Sequence, residues 1–113
     1  MIKIYHNPRC SKSRQGLAIL QNSGKTFEII KYLDQQLTAK QLTAIIDKLG
    51  IKAIDLVRKN EAIWKSDYKG KTLTDTAIIE AMIANPKLIE RPIVINKEQA
   101  VVGRPPETIL NII

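Results

Sequence analysis

The first thirty or so residues carry the strongest constraint on what this chain can fold into. Ile2 to Tyr5 is short, apolar and β-branched, as a buried strand would be, and Asn7-Pro8 is a turn signal that stops it. From Ser11 onward, Gly16, Leu17, Ile19, Leu20 and a closing Gly24 fit one amphipathic helix. Thr26 to Leu33 (TFEIIKYL) then alternates loosely and is rich in strand formers. Strand, helix and strand at this spacing read as a βαβ unit, whose parallel strands demand a right-handed crossover. An α/β fold follows.

The rest of the chain extends this unit. Thr38 with Gln41 has capping-box spacing, and Leu42, Ile45, Ile46 and Leu49 recur at helical intervals before Gly50. Lys52 to Asn60 reads as a shorter helix, with Ile54 and Val57 on one side and Arg58 at its C-terminal end. Trp64 and Tyr68 fall in a polar, lysine-rich connection ending at Gly70, where burial of the rings is expected rather than base stacking. Thr74 and Asp75 offer an N-cap for a helix through Ile78, Ile79, Met82 and Ile83 that Pro86 ends. Arg91-Pro92-Ile93-Val94-Ile95 opens a third strand, and Ala100 to Val102 a fourth through a hairpin at Asn96 to Gln99. Pro105, Pro106 and Glu107 start a final helix carrying Ile109, Leu110, Ile112 and Ile113. The sum is a four-stranded mixed sheet flanked by helices on both faces, with a helical insert between the βαβ unit and a C-terminal ββα unit. At 113 residues a single domain spanning 1–113 is expected.

Composition narrows the function classes. No apolar run approaches the roughly 18 residues of a membrane span, and Met1 leads straight into a strand without a signal peptide, so a cytoplasmic protein with no membrane partner is expected. One cysteine cannot form an internal disulfide, and one cysteine with one histidine cannot close a zinc site, so no metal is expected. The net charge of +7 permits attraction to anions. The basic residues are nevertheless spread along the chain, without an arginine-rich tail or an aromatic-interleaved patch, so nucleic acid is not the expected partner. A monomer is expected.

Cys10 lies where the first loop meets the first helix. A lone cysteine is most often a small buried apolar residue. A preceding Pro8 and the basic Arg9, Lys12 and Arg14 are poor surroundings for core packing. A helix N-terminus offers unpaired N–H groups and the positive end of the dipole, both of which favour a thiolate and attract an anion. Cys10 is therefore a candidate nucleophile beside an oxyanion cradle.

YHNPRCSKSR at the start, LVRKN in the middle, ERPIVI before the hairpin and VVGRPPETIL near the end give the chain a resemblance that runs through nearly its whole length. It resembles the glutathione- and glutaredoxin-dependent arsenate reductases, a family with a thioredoxin-like fold. The resemblance implies that Cys10 is the catalytic nucleophile and that His6 helps hold it as thiolate. It implies that Arg58, Arg91 and Arg104 contact the oxyanion, with Ser11 and Arg14 counted beside them, and that Pro92 is a cis-proline facing the nucleophile. The loop departs from the family pattern in carrying the bulkier or more basic Arg9, Ser11 and Lys12 around the cysteine.

The implied chemistry is physically coherent. Arsenate is a tetrahedral oxyanion, and guanidinium forks match such oxygens bidentately while staying charged. No bound cofactor is implied. Glutathione would be the co-substrate and glutaredoxin the protein partner, because this chain holds no second thiol. Two other readings use the same fold: a general glutathione-dependent thiol reductase that needs no arginine trio, and an Spx-like RNA-polymerase-binding regulator without enzymatic activity. Ser13 stands where many such regulators carry the second cysteine of Cys-x-x-Cys.

Overall fold

The computed structural model describes residues 1–113. They form two compact units: Met1–Gln35 with Arg91–Ile113, and Gln36–Glu90.

The first unit holds β1 (Ile2–Tyr5), α1 (Ser11–Asn22), β2 (Phe27–Ile30), β3 (Ile93–Asn96) and β4 (Gln99–Val102). The sheet runs β2-β1-β3-β4, with β1 parallel to β2 and antiparallel to β3, and β3 antiparallel to β4. This is the mixed four-stranded sheet that the sequence predicts. Because side chains alternate along a strand, Ile2 and Ile4 of β1 share one face with Val94, the partner of Ile4 on β3. They form one core cluster with Leu20 of α1 and with Ile109 and Ile112 of the C-terminal segment. Ile4, Leu20, Val94 and Ile109 are fully buried. Each contributes on the order of 1.5–3 kcal/mol relative to an exposed side chain.

Two glycines shape this core. A Cβ on Gly16 would stand 2.8 Å from Pro92 Cγ and 3.0 Å from Ile109 Cδ1, and one on Gly103 would stand 2.9 Å and 3.1 Å from the same two atoms. The proline ring and the isoleucine thus fill space that only glycine leaves open on both sides. Gly103 N–H also donates to the Pro92 carbonyl at 2.8 Å.

Two segments of this unit are shorter or tighter than the sequence predicts. The second strand covers Phe27–Ile30 rather than Thr26 to Leu33, because the chain turns after it. Asp34 and Gln35 N–H both bond the Lys31 carbonyl, and Tyr32 swings into the interior. The last helix is a 3₁₀ segment, Pro106–Asn111. It is short, two prolines at its start lack donors, and Thr108 Oγ1 bonds the Pro105 carbonyl at 2.8 Å.

The second unit holds α2 (Ala39–Leu49), α3 (Ala62–Asp67) and α4 (Asp75–Ala84). The capping box between Thr38 and Gln41 is present in both directions, and Gly50 closes α2 in the left-handed conformation at φ 68°. Thr74 Oγ1 accepts from Ala77 N–H at 3.1 Å and starts α4. The helix expected over Lys52 to Asn60 is only a 3₁₀ turn, Ala53–Leu56. Val57 is extended and bridges Ile89, and Arg58 N–H donates to Leu88 O at 2.7 Å. A partner thirty residues away outcompetes local helix formation there. The Trp64 and Tyr68 region, expected as a connection, contains α3: Trp64 is buried and its ring stacks on Tyr68 at 5.4 Å between centroids. The signal for it was the four-residue spacing of the two rings.

Gly16→Ala gains about 1 kcal/mol of helix propensity but drives a methyl into Pro92 and Ile109. Overpacking costs about 1–3 kcal/mol, so a net loss of stability is expected. Urea unfolding should show a lower midpoint for Gly16→Ala; an unchanged or higher midpoint would refute the close fit.

Candidate active site

β1 ends at Tyr5, and the next five residues form a loop that hydrogen bonds organise in detail. His6 N–H continues the ladder to Ile30 O at 2.9 Å. Asn7 ties the loop three ways: its N–H donates to Ser13 Oγ at 2.9 Å, its Oδ1 accepts from Arg9 N–H at 3.0 Å, and its carbonyl accepts from Cys10 N–H at 3.0 Å. The last two bonds make a tight turn that delivers Cys10 to the N-cap of α1, with extended backbone at φ −97° and ψ 123°. Arg14 adds an outer brace, its Nη1 donating to the Pro8 carbonyl at 2.9 Å.

Ser13 lies in the first turn of α1 with no solvent exposure. Its hydroxyl accepts from Asn7 N–H and sits 2.7 Å from His6 Nδ1. With the oxygen accepting from the amide, its own proton is available to His6 Nδ1, which suits the neutral imidazole with its proton on Nε2. Burial, and after it the Lys31 charge, hold the His6 pKa below its ordinary value, against hydrogen bonding of the ring to the Ser13 backbone. His6 is therefore a neutral, buried group at pH 7.

The opposite side of Cys10 comes from the C-terminal half of the same unit. The Arg91–Pro92 bond is cis, as is Arg104–Pro105. Arg104 Nε donates to the Arg91 carbonyl at 2.9 Å, and its Nη2 donates to Cys10 Sγ at 3.4 Å. Arg91 is buried, and its side chain favours the ionised sulfur by hydrogen bonding and by charge. Two guanidinium groups thus converge on one partly buried sulfur.

Burial alone works to raise the Cys10 thiol, but it is outweighed. Hydrogen bonding from the Ser13 backbone, then the hydrogen bond and charge of Arg91, then the Lys12 backbone bring the pKa below the ordinary thiol value. Arg104 at 3.4 Å acts in the same sense. The Lys12 and Ser13 backbone groups of the first helical turn thus bias the sulfur toward thiolate, the form that can attack.

The sequence-derived residues are distributed as follows. Cys10, His6, Arg91, Pro92 and Arg104 all lie in the first unit. His6 bonds Ser13, so its influence on the sulfur runs through that residue. Ser11, the first helical residue, is exposed, and Arg14 holds the loop through Pro8. Pro92 is buried against the two glycines. Arg58 belongs to the second unit, where its guanidinium pairs with Glu90 at 3.2 Å and Glu61 at 3.6 Å. Asn7 and Ser13 organise the loop and were not singled out from sequence as site residues. Their polar side chains flanking the cysteine were the available signal.

No group of three or more His, Cys, Asp or Glu side chains is arranged to hold a metal ion, and no helix is long and apolar enough to cross a membrane.

The model of the ArsC family matches residues 5–112. An arsenate reductase of Haemophilus influenzae is 43% identical over 112 residues, covering 97% of each chain. The uncharacterized protein YfgD of Escherichia coli is 43% identical over 114 residues, covering 99% of this chain and 96% of its own. Among solved structures, an arsenate reductase from Vibrio cholerae superposes with a TM-score of 0.95 at 43% identity, covering 99% of this chain and 97% of that one.

Two pH effects follow from the site. The pH profile of Cys10 alkylation by iodoacetamide should have its midpoint below the ordinary thiol pKa of 9.0, and Arg104→Ala should move it upward. Identical profiles in the two proteins would remove Arg104 from thiolate stabilisation. For His6 the folded-state pKa lies below the unfolded value of 6.5, so the unfolded chain binds the proton more tightly. Its contribution is complete above about pH 6.5 and is lost as pH falls toward the folded value. Denaturant midpoints measured from about pH 7.5 down to about pH 5, the range over which an imidazole titrates, should fall in the wild type and fall less steeply in His6→Gln.

Proposed function

The chain belongs to the ArsC family, and on that premise we propose that it reduces arsenate to arsenite, using Cys10 as nucleophile and glutathione with glutaredoxin as electron donors. The observation that carries the reading is the convergence of Arg91 and Arg104 on the Cys10 sulfur, with Arg104 Nη2 at 3.4 Å. An anion-binding pair of guanidinium groups around a thiolate is what attack on an oxyanion requires.

In this reading the Cys10 thiolate attacks arsenic, and one arsenate oxygen, once protonated, leaves as water. Arg91 and Arg104 exchange their contact with the thiolate for contacts with the remaining oxygens. Negative charge thus stays beside the same cations from the resting thiolate to the sulfur–arsenic adduct. Arsenic(V) becomes arsenic(III) by taking two electrons, and two thiols must lose them in forming one disulfide. Cys10 is the only cysteine, so glutathione attacks arsenic in the adduct and a second oxygen leaves as water. A glutaredoxin thiolate then attacks the glutathione sulfur, the glutathione S–As bond breaks with its electron pair left on arsenic, and a glutaredoxin–glutathione disulfide departs; water cleaves the Cys10–arsenic bond. Arsenite then leaves and Cys10 returns to the thiolate.

The oxyanion contacts in this reading come from Arg91 and Arg104. The resemblance implies Arg58 as a third arginine at the oxyanion; its guanidinium is ion-paired to Glu90 and Glu61. The reaction draws on a reduced thiol pool, so the cytoplasm is the expected compartment and a monomer suffices.

The test is arsenate-dependent NADPH consumption with glutathione, glutaredoxin and glutathione reductase present. Cys10→Ser should fall to the background rate. Arg104→Ala should lose on the order of 10²-fold in kcat/KM, the usual cost of one donor to a developing anion. Wild-type turnover by Cys10→Ser, or no turnover by the wild type with any glutaredoxin offered, would overturn the reading.

A further inference from the structure

Beside the Cys10 loop a cavity of about 300 Å³ opens in the first unit, lined by His6, Asn7, Arg9, Lys31, Leu33 and Asp34 among others. A second hollow of about 290 Å³, lined by Ile29, Lys31, Asp34 and Gln35, shares Lys31 and Asp34 with it. The two form one groove between the catalytic loop and the turn that follows the edge strand β2. That turn is fixed by the Asp34 and Gln35 N–H bonds to the Lys31 carbonyl at 3.0 and 2.9 Å.

The charges of this groove are unusual. Lys31 and Asp34 are opposite in sign and three residues apart, yet they make no salt bridge with each other, and Arg9 has none either. The Lys31 charge reaches His6, which it helps keep neutral. Two cations and one carboxylate therefore face the cavity uncompensated, next to the half-exposed side chains of Ile29 and Leu33. A compact inorganic oxyanion would meet Asp34 as a repulsive neighbour. An extended zwitterion with two carboxylates, one ammonium and an apolar stretch would satisfy every charge.

We propose that this groove is the glutathione subsite, with Lys31 and Arg9 each taking a carboxylate and Asp34 taking the γ-glutamyl ammonium. The proposal rests on the reading of the chain as a glutathione-using reductase and adds where the co-substrate binds. The cavity wall is also the loop that ends at the nucleophile: Arg9 precedes Cys10, and Cys10 N–H bonds the Asn7 carbonyl at 3.0 Å. A bound tripeptide lies against the same backbone that presents the reacting sulfur. The two anions are thereby separated, arsenate to the arginine pair and glutathione to the groove.

The experiment titrates S-methylglutathione, whose sulfur cannot react, into isotope-labelled full-length protein and follows the amide resonances. Shifts should concentrate at Asn7, Arg9 and Lys31 to Asp34. Kd should rise about tenfold in Lys31→Gln and in Arg9→Gln, as loss of one charge-assisted hydrogen bond predicts. In the coupled assay the same variants should raise KM for glutathione while leaving KM for arsenate unchanged. Three outcomes overturn the proposal: no shifts in the groove, equal Kd in wild type and variants, or the same shifts produced by inorganic arsenate alone. Binding in the groove without arsenate turnover would instead sink the activity and leave the subsite standing.

Discussion

Arg104 reaches Cys10 because two glycines let a proline come close. The missing side chains of Gly16, on α1, and Gly103, after β4, are the space occupied by Pro92 and Ile109. With Pro92 seated there, the residue before it and the residue after Gly103 become neighbours. Gly103 N–H bonds the Pro92 carbonyl, and Arg104 Nε bonds the Arg91 carbonyl. That second bond fixes the plane of the guanidinium and aims Nη2 at a sulfur ninety-four positions earlier in sequence. The cations of the site are thus set by backbone approach rather than by the reach of a flexible side chain, which limits the entropy lost in organising them.

The electrostatics of the site are a contest between burial and donors. A sulfur removed from water would prefer its proton, and the Ser13 backbone, Arg91 and the Lys12 backbone reverse that preference. His6 lies on the far side of the contest. Its own burial and the Lys31 charge keep it neutral, so it cannot stabilise the thiolate as a cation would. What it does is hold the Ser13 hydroxyl at 2.7 Å, and the Ser13 backbone is foremost among the groups that favour the ionised sulfur. The imidazole acts as a strut.

The sequence made the βαβ start, the capping box of Thr38 and Gln41 and the Cys10 helix junction legible, because each depends on residues within a few positions of one another. It misled where partners are distant. Lys52 to Asn60 has a helical pattern, yet Val57 and Arg58 pair with Ile89 and Leu88 and stay extended. The arginines are intermediate. Arg91 and Arg104 each precede a proline and Arg58 does not, yet that gives no sign that the two meet, and only family resemblance grouped the three. In the structure Arg91 and Arg104 meet at the sulfur, while Arg58 pairs with Glu90 and Glu61. Asn7 is legible as a turn residue and Ser13 as the place of an absent second cysteine, but their bonding roles are not, because a loop's hydrogen bonds are decided by its closed shape, which residue type alone does not disclose.

In the proposed reaction the second thiol comes from outside, and Ser13 supplies a structural reason. One helical turn after Cys10 is the position from which a second sulfur could attack a Cys10 adduct. Here that position is fully buried, and its oxygen is bound to Asn7 and His6. A side chain that anchors the loop cannot also swing out to attack, so anchoring and resolving are exclusive roles for this residue. With anchoring taken, the chain supplies a well-held thiolate and an anion cradle. In the proposed reaction the remaining thiol chemistry falls to small or protein thiols that diffuse in, and the exposed side of the Cys10 loop is the face open to them.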